Sequence, residues 1–202
     1  MTALMLDLDG VLGDTRRLWE DWLADASRVL GVDPAALPAD RGDAATALDD
    51  GAGNWRTLLG RYAEDRAPVY LRPDGAVSTA LRGLASAGVR LGVCTDAPEE
   101  LAQVAVAQLG AARRVEALEC GAGSVERLQA RLGAEAELVT TRARLLERLD
   151  RIAEQLERID ARLEAQEGFL QVTRELRALT DSLNAVAYAA LGQSPRVRRR
   201  AG

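Results

Sequence analysis

The sequence has no histidine and no lysine; all 26 of its basic residues are arginine. Without histidine there is no Ser-His-Asp or Cys-His relay and no His-ligated zinc site. Without lysine there is no Schiff base to hold pyridoxal phosphate. The two cysteines, Cys94 and Cys120, are too few for a disulfide scaffold and too far apart for CxxC, so a reduced, cytoplasmic setting is expected. Aromatic residues make up only 3%, which leaves the core to Leu, Val and Ala. No apolar run approaches the about 20 residues that span a bilayer. The chain opens MTALMLDLDG, with acids inside its first apolar run, so no secretory leader is expected. A net charge of -5 argues against a nucleic-acid partner.

What is present in the 202 residues suffices for one or two domains with a sizeable core. Four short apolar runs read as buried strands: Leu4 to Asp9, Val89 to Thr95, Val115 to Cys120 and Glu137 to Thr140. Helical stretches alternate with them at Gly75 to Ala87, Glu99 to Leu109 and Val125 to Leu132. Such alternation predicts parallel pairing, with loops and sites at one edge of the sheet. Residues 16–71 interrupt the alternation. Arg17 to Leu30 has helical period, with Leu18, Trp22, Ala26 and Val29 on one face and Gly31 as a stop. Asp33 to Gly53 is rich in Pro, Asp, Gly and Ala, and a helical pattern resumes over Asn54 to Ala63. This predicts a small helical insertion. Its Trp19, Trp22, Trp55 and Tyr62 read first as packing, with a pocket lining as the alternative.

The stretch Asp7-Leu8-Asp9-Gly10-Val11-Leu12-Gly13-Asp14-Thr15 carries the chemistry. Two acids two apart at a strand end point to the same side. Burying both is costly unless a cation or hydrogen-bond donors compensate. An acidic turn after an edge strand would account for Asp9-Gly10, but not for Asp7 inside an apolar run. The motif resembles the first motif of the haloacid dehalogenase-like hydrolases, DxDG(T/V)LxD(S/T). Leu91 to Asp96, LGVCTD, is similar to their second motif, an apolar strand ending in Thr or Ser.

The resemblance implies a haloacid dehalogenase-like α/β core with a Rossmann-like parallel sheet at 1–15 and 72–141, and a helical cap at 16–71. It implies an enzyme, a Mg²⁺-dependent phosphatase of a small phosphate monoester. Asp7 would be the nucleophile and form an aspartyl-phosphate. Asp9 would protonate the leaving oxygen and later activate water, and Thr95 would hydrogen-bond the phosphoryl oxygens. Asp7 and the backbone carbonyl of Asp9 would hold the metal, Gly10 and Asp96 would line the substrate site, and Asp14 and Thr15 would shape the loop toward the cap.

Two family motifs are altered. The third should supply a Lys or Arg, yet Gly121 to Glu126 reads GAGSVE. Arg113 and Arg114 lie just before, and Arg114 is taken as the substitute cation, with a surface role as the alternative. The fourth should end a strand in acidic metal ligands, and Thr140-Thr141 stand there. Losing that carboxylate and the cation removes transition-state stabilisation. The sequence therefore leaves two functions open: a working hydrolase, or a catalytically impaired domain that binds a ligand or acts as a scaffold. Asp96 could partly replace the missing acid.

From Arg142 the pattern becomes heptad. Leu145, Leu149, Ile152, Leu156, Ile159 and Leu163 alternate steps of four and three, and Phe169 to Ala190 repeats them. Between Leu163 and Phe169 the step is six, which predicts two helices or a kink at Gly168. Residues 142–191 are expected to form either a homo-oligomeric coiled coil or a hairpin on the core. The tail, 192–202, is basic and is expected to be solvated, with phosphate or acidic lipid contact as the alternative.

Overall fold

The computed structural model describes residues 3–192, apart from the side chains at 165–167, 169 and 184–192. Strands β1 (Ala3–Asp7), β2 (Arg90–Thr95), β3 (Ala117–Cys120) and β4 (Glu137–Val139) form one parallel sheet in the order β3-β2-β1-β4. Both faces are covered, as near-continuous apolar strands require. Leu4 and Leu6 of β1 belong to a large core with Leu91 and Val93. Ala3 and Met5 alternate to a smaller one with Cys94 and Ala117, roofed by Leu128 and Leu132 of α6 (Ser124–Leu132). Asp7 is the next residue on that second face.

The strands are shorter than the apolar runs suggest. Strand β1 ends at Asp7 rather than Asp9, because Leu8–Leu12 folds into a tight turn. The turn closes with the Gly13 N–H on the Leu8 carbonyl at 3.0 Å. Asp7 and Asp9 therefore do not share a strand face.

The insertion contains three helices, α1 (Arg16–Leu30), α2 (Arg41–Gly51) and α3 (Trp55–Tyr70). Trp19, Trp22 and Trp55 are buried against one another, with ring centroids 5.1, 5.9 and 6.4 Å apart, so they are packing residues. The buried stripe of α1 is Leu18, Trp19, Trp22 and Ala26. Val29, expected on it, is 78% exposed; the stripe runs through Trp19 instead. Gly31, with φ of 66°, ends the helix as expected. Helix α2 lies where composition alone predicts none. Asp40 starts it by accepting the Asp43 N–H at 3.0 Å, which satisfies one of the unpaired first-turn donors.

Helices α4 (Gly75–Ser86) and α5 (Glu99–Gln108) complete the core. The last helix, α7 (Arg142–Gly192), runs without interruption through Gly168, so the expected break does not occur. Helical hydrogen bonds are indifferent to which side carries the apolar residues. A six-residue step in place of seven only turns the stripe by about 100°. Residues up to Ile152 form one compact unit and those from Ala153 onward a second. Leu145 is fully buried in the large core, with Leu149 and Ile152 packed against it. Leu156, Ile159, Leu163, Leu176, Leu179 and Leu183 are exposed. The basic tail, beyond Gly192, lies outside the described residues. Among the described residues no helix is long and apolar enough to cross a membrane.

Candidate active site

Strands β1 and β2 end side by side, with Asp7 paired to Cys94 and Thr95 next along β2. The register places Asp7, Thr95 and Asp96 at the same edge of the sheet. They open onto a cavity of ≈ 420 Å³ that is also lined by Gly121 to Glu126, Leu138 and Thr140. Gly10, whose φ is 112°, brings the turn against β4: a Cβ there would stand 3.0 Å from the Thr140 carbonyl oxygen. No L side chain fits that position at ordinary cost. Gly10 thus shapes the turn beneath the site rather than lining the cavity.

The two motif acids are held in different ways. Asp7 accepts one long hydrogen bond, from the Asp9 N–H at 3.3 Å, and has no basic partner. Burial, the neighbouring Asp9 charge and then Asp96 push its pKa up to about 6, against the Asp9 N–H and Arg41. Desolvation and like charge both disfavour the anion, so the carboxylate is poised. Asp9 is fully engaged. The Thr15 N–H donates to it at 2.6 Å and the Thr15 hydroxyl at 2.8 Å. Thr15 is completely buried, so it ties Asp9 to the start of α1. Asp14 turns outward to a bidentate pair with Arg16, which holds its pKa below the usual range.

The cation at this site is Arg41, which sequence reasoning missed. It is only 4% exposed and reaches from the start of α2 into the core. Its guanidinium pairs with Asp9 and Asp96, donates to Asp96 Oδ2 through Nε at 3.1 Å and to the Thr15 hydroxyl at 2.8 Å. Burial works against its charge, but Asp96 and Asp9 more than offset that and hold its pKa above the ordinary value. Asp96 is lowered in return; burial opposes the anion and Arg41 outweighs it. A signal existed in the sequence: Arg41 is the one basic residue between Arg28 and Arg56, and it follows a helix-starting Asp.

Arg114 is not brought to this cluster. It precedes β3 and therefore lies at the other edge of the parallel sheet from the ends of β1 and β2. Its guanidinium donates to the Gly110 carbonyl at 2.8 Å. Arg113, beside it, is exposed. Thr95 is buried and its hydroxyl accepts the Ala97 N–H at 3.1 Å, leaving the O–H free to turn into the cavity.

For a divalent metal, Asp7 offers a carboxylate and Asp9 a backbone carbonyl. Asp96, the proposed stand-in for the lost acid, is committed to Arg41. Among the described residues no three His, Cys, Asp or Glu side chains are grouped to hold an ion. This donor set fits Mg²⁺, which keeps several waters and takes one or two carboxylates plus substrate phosphate. It does not fit a closed structural site.

No family model matches the chain, and no curated protein matches it. Solved structures do. The chain is similar to CbbY from Rhodobacter sphaeroides in complex with phosphate, at 16% identity, covering 67% of this chain and 76% of that one, with a TM-score of 0.50. It is similar to a CbbY mutant from the same organism in complex with xylulose-(1,5)bisphosphate, at 15% identity, with the same 67% and 76% and a TM-score of 0.51. A HAD phosphatase from Thermococcus onnurineus matches at 19% identity, 69% and 77%, with a TM-score of 0.49. The first two likenesses establish the fold: this chain has the haloacid dehalogenase-like α/β architecture.

Proposed function

We propose that the protein is a Mg²⁺-assisted phosphatase acting on a small phosphate monoester through Asp7. The observation that carries this reading is the contrast between the two acids. Asp9 is clamped by Thr15 and Arg41, while Asp7 stands without a basic partner on the cavity wall beside Thr95. A nucleophile must be free to attack, and an acid-base residue must be oriented.

In this reading Asp7 attacks phosphorus and the alkoxide leaves with a proton from Asp9. Asp9 then takes a proton from the water that hydrolyses the aspartyl-phosphate. Asp9 is paired with Arg41 and Thr15, so it must loosen from Arg41 to reach the leaving group. Thr95 donates its hydroxyl to a phosphoryl oxygen. Asp7 and the Asp9 carbonyl would hold Mg²⁺, which supplies charge neutralisation of the phosphoryl group when bound. Arg41 does not line the cavity; it acts through Asp9 and Asp96, which it holds in place. A reducing compartment suits the free thiols of Cys94 and Cys120.

The test is turnover of an aryl phosphate with and without MgCl₂, comparing the wild type with Asp7→Asn, Arg41→Ala and Arg114→Ala. Expected are Mg²⁺-dependent turnover, its loss in Asp7→Asn, a drop of about 100-fold or more in Arg41→Ala, and little change in Arg114→Ala. Equal background from the wild type and Asp7→Asn moves the assignment to the second reading, a binding domain without turnover. One observation favours that alternative: Thr140 and Thr141 stand where an acid would complete the metal site.

A further inference from the structure

The cavity beside Asp7 has an unusual charge pattern for an anion site. Its ionisable walls are Asp7, Asp40, Asp96 and Glu126, with no arginine among the lining residues. Asp96 is neutralised by Arg41. A phosphoryl group seated against Asp7 therefore needs neutral donors for the oxygens that do not face the metal. Thr95 supplies one. The wall formed by the chain after β3 supplies the others.

That wall is the loop Cys120–Gly123 running into α6. Arg127 donates to the Ala122 carbonyl at 2.6 Å and also to the Cys120 carbonyl. The Gly121 and Gly123 carbonyls accept Ser124 and Arg127 N–H groups, each at 3.2 Å. All four loop carbonyls are thus engaged. The N–H groups of Gly123, Val125 and Glu126 have no acceptor among the described residues. They are the unpaired donors of a helix start, where the partial charge is positive. No side chain caps that start. Ser124, its first residue, lines the cavity and is only 6% exposed. Its hydroxyl has no hydrogen-bond partner among the described residues. The hydroxyl therefore keeps both its donor and its acceptor capacity for whatever occupies the cavity.

We propose that the Ser124 hydroxyl and the free amides at the start of α6 form a neutral cradle for phosphoryl oxygens, in the position where a basic side chain is missing. The cradle binds through neutral donors, without a basic side chain on the cavity wall. Helix starts receive phosphate through just these two properties, free N–H groups and a favourable dipole. Glu126 is on the same wall but exposed, so its charge is screened by water. The inference rests on the phosphatase reading for its ligand, a phosphate ester.

The test measures binding of inorganic phosphate by calorimetry in MgCl₂, using the full chain, with aryl phosphate turnover in parallel. Ser124→Ala is expected to weaken phosphate binding by about 10-fold or more, as for loss of a donor to a charged group. Ser124→Thr, which keeps the hydroxyl, is expected to stay within about threefold of wild type on the same argument. Thermal melts confirm that both variants fold. Unchanged binding in Ser124→Ala overturns the cradle, as does a wild type that binds no phosphate. A wild type that binds phosphate through Ser124 but shows no Asp7-dependent turnover supports the cradle and removes the hydrolase assignment. Turnover with normal phosphate affinity in Ser124→Ala does the reverse.

Discussion

Asp7 is raised to about 6 chiefly by burial and then by the Asp9 charge, and this has a thermodynamic consequence in protein stripped of divalent metal. Below the ordinary aspartate value of 3.8 the carboxyl is protonated in both folded and unfolded chains. Between that value and 6 the folded chain keeps a proton that the unfolded chain has released. Stability therefore falls as pH rises through this window, and the full penalty is present above 6. Asp7→Asn removes it. We expect Asp7→Asn to raise Tm by roughly 2–5 °C near pH 7.5, a gain limited by the half-exposed position. The gain should vanish near pH 4. A wild type and variant with the same offset at both pH values would show that burial does not strain this carboxylate. Arg41 sits beside the same residue but does not cancel the penalty, because its guanidinium is spent on Asp9 and Asp96.

At the scale of elements, the sheet was legible because each strand is a short apolar run with a polar residue at its end. The helical insertion was legible only in part. Trp19, Trp22 and Trp55 announced packing, but α2 was hidden in a run of Pro, Asp, Gly and Ala whose helical order depends on Asp40 and on tertiary contact. With α2 hidden, Arg41 was lost, and the charge it supplies was sought at Arg114 by chain order. The predicted parallel pairing, with Val115 to Cys120 as a strand, already put Arg114 before a strand and so at the far edge, but nearness in chain order to the lost motif was given more weight. The seating of α2 is itself testable. A Cβ on Gly42 would stand 2.4 Å from the Ala122 backbone nitrogen and 2.9 Å from the Gly121 carbonyl carbon. Backbone cannot yield as a side chain can, so Gly42→Ala should cost about 1–3 kcal/mol, as overpacking does. It should also depress turnover by dragging Arg41 from Asp9. Gly51→Ala, with nothing within 4 Å, is the control and should be neutral or slightly stabilising. Equal melting temperatures for the two variants would mean that α2 does not rest on this loop.

For the molecule as a whole, α7 performs two tasks along one continuous helix. Its first turns complete the core, since Leu145 is fully buried, whereas Leu163 is 53% exposed. Leu145→Ala should cost about 2–5 kcal/mol and leave self-association unchanged. Leu163→Ala should leave the melting of the dilute monomer nearly unchanged. An exposed stripe of this size favours association, and its heptad spacing suits a second copy of the same helix. Analytical ultracentrifugation across a concentration series should then show full-length chains associating, and Leu163→Ala weakening that association. Concentration-independent monomers would leave the stripe to a different partner. Expecting a break at Gly168 confused two requirements: a helix needs only its own backbone bonds, whereas a seam needs a partner that follows its turn.

The reach of Arg41 from α2 to Asp9 and Asp96 also bears on how this architecture can be taken apart. An insertion between two strands is an attractive unit for recombination, because it can be exchanged as one continuous segment. Here the exchange would not be clean. A chimera carrying this core under a foreign insertion would lose the counter-ion of two buried or half-buried carboxylates at once, unless the donor segment brings its own arginine to the same spot. The insertion and the Asp9–Asp96 pair of the core are therefore inherited together, and a swap of the first would unsettle the second.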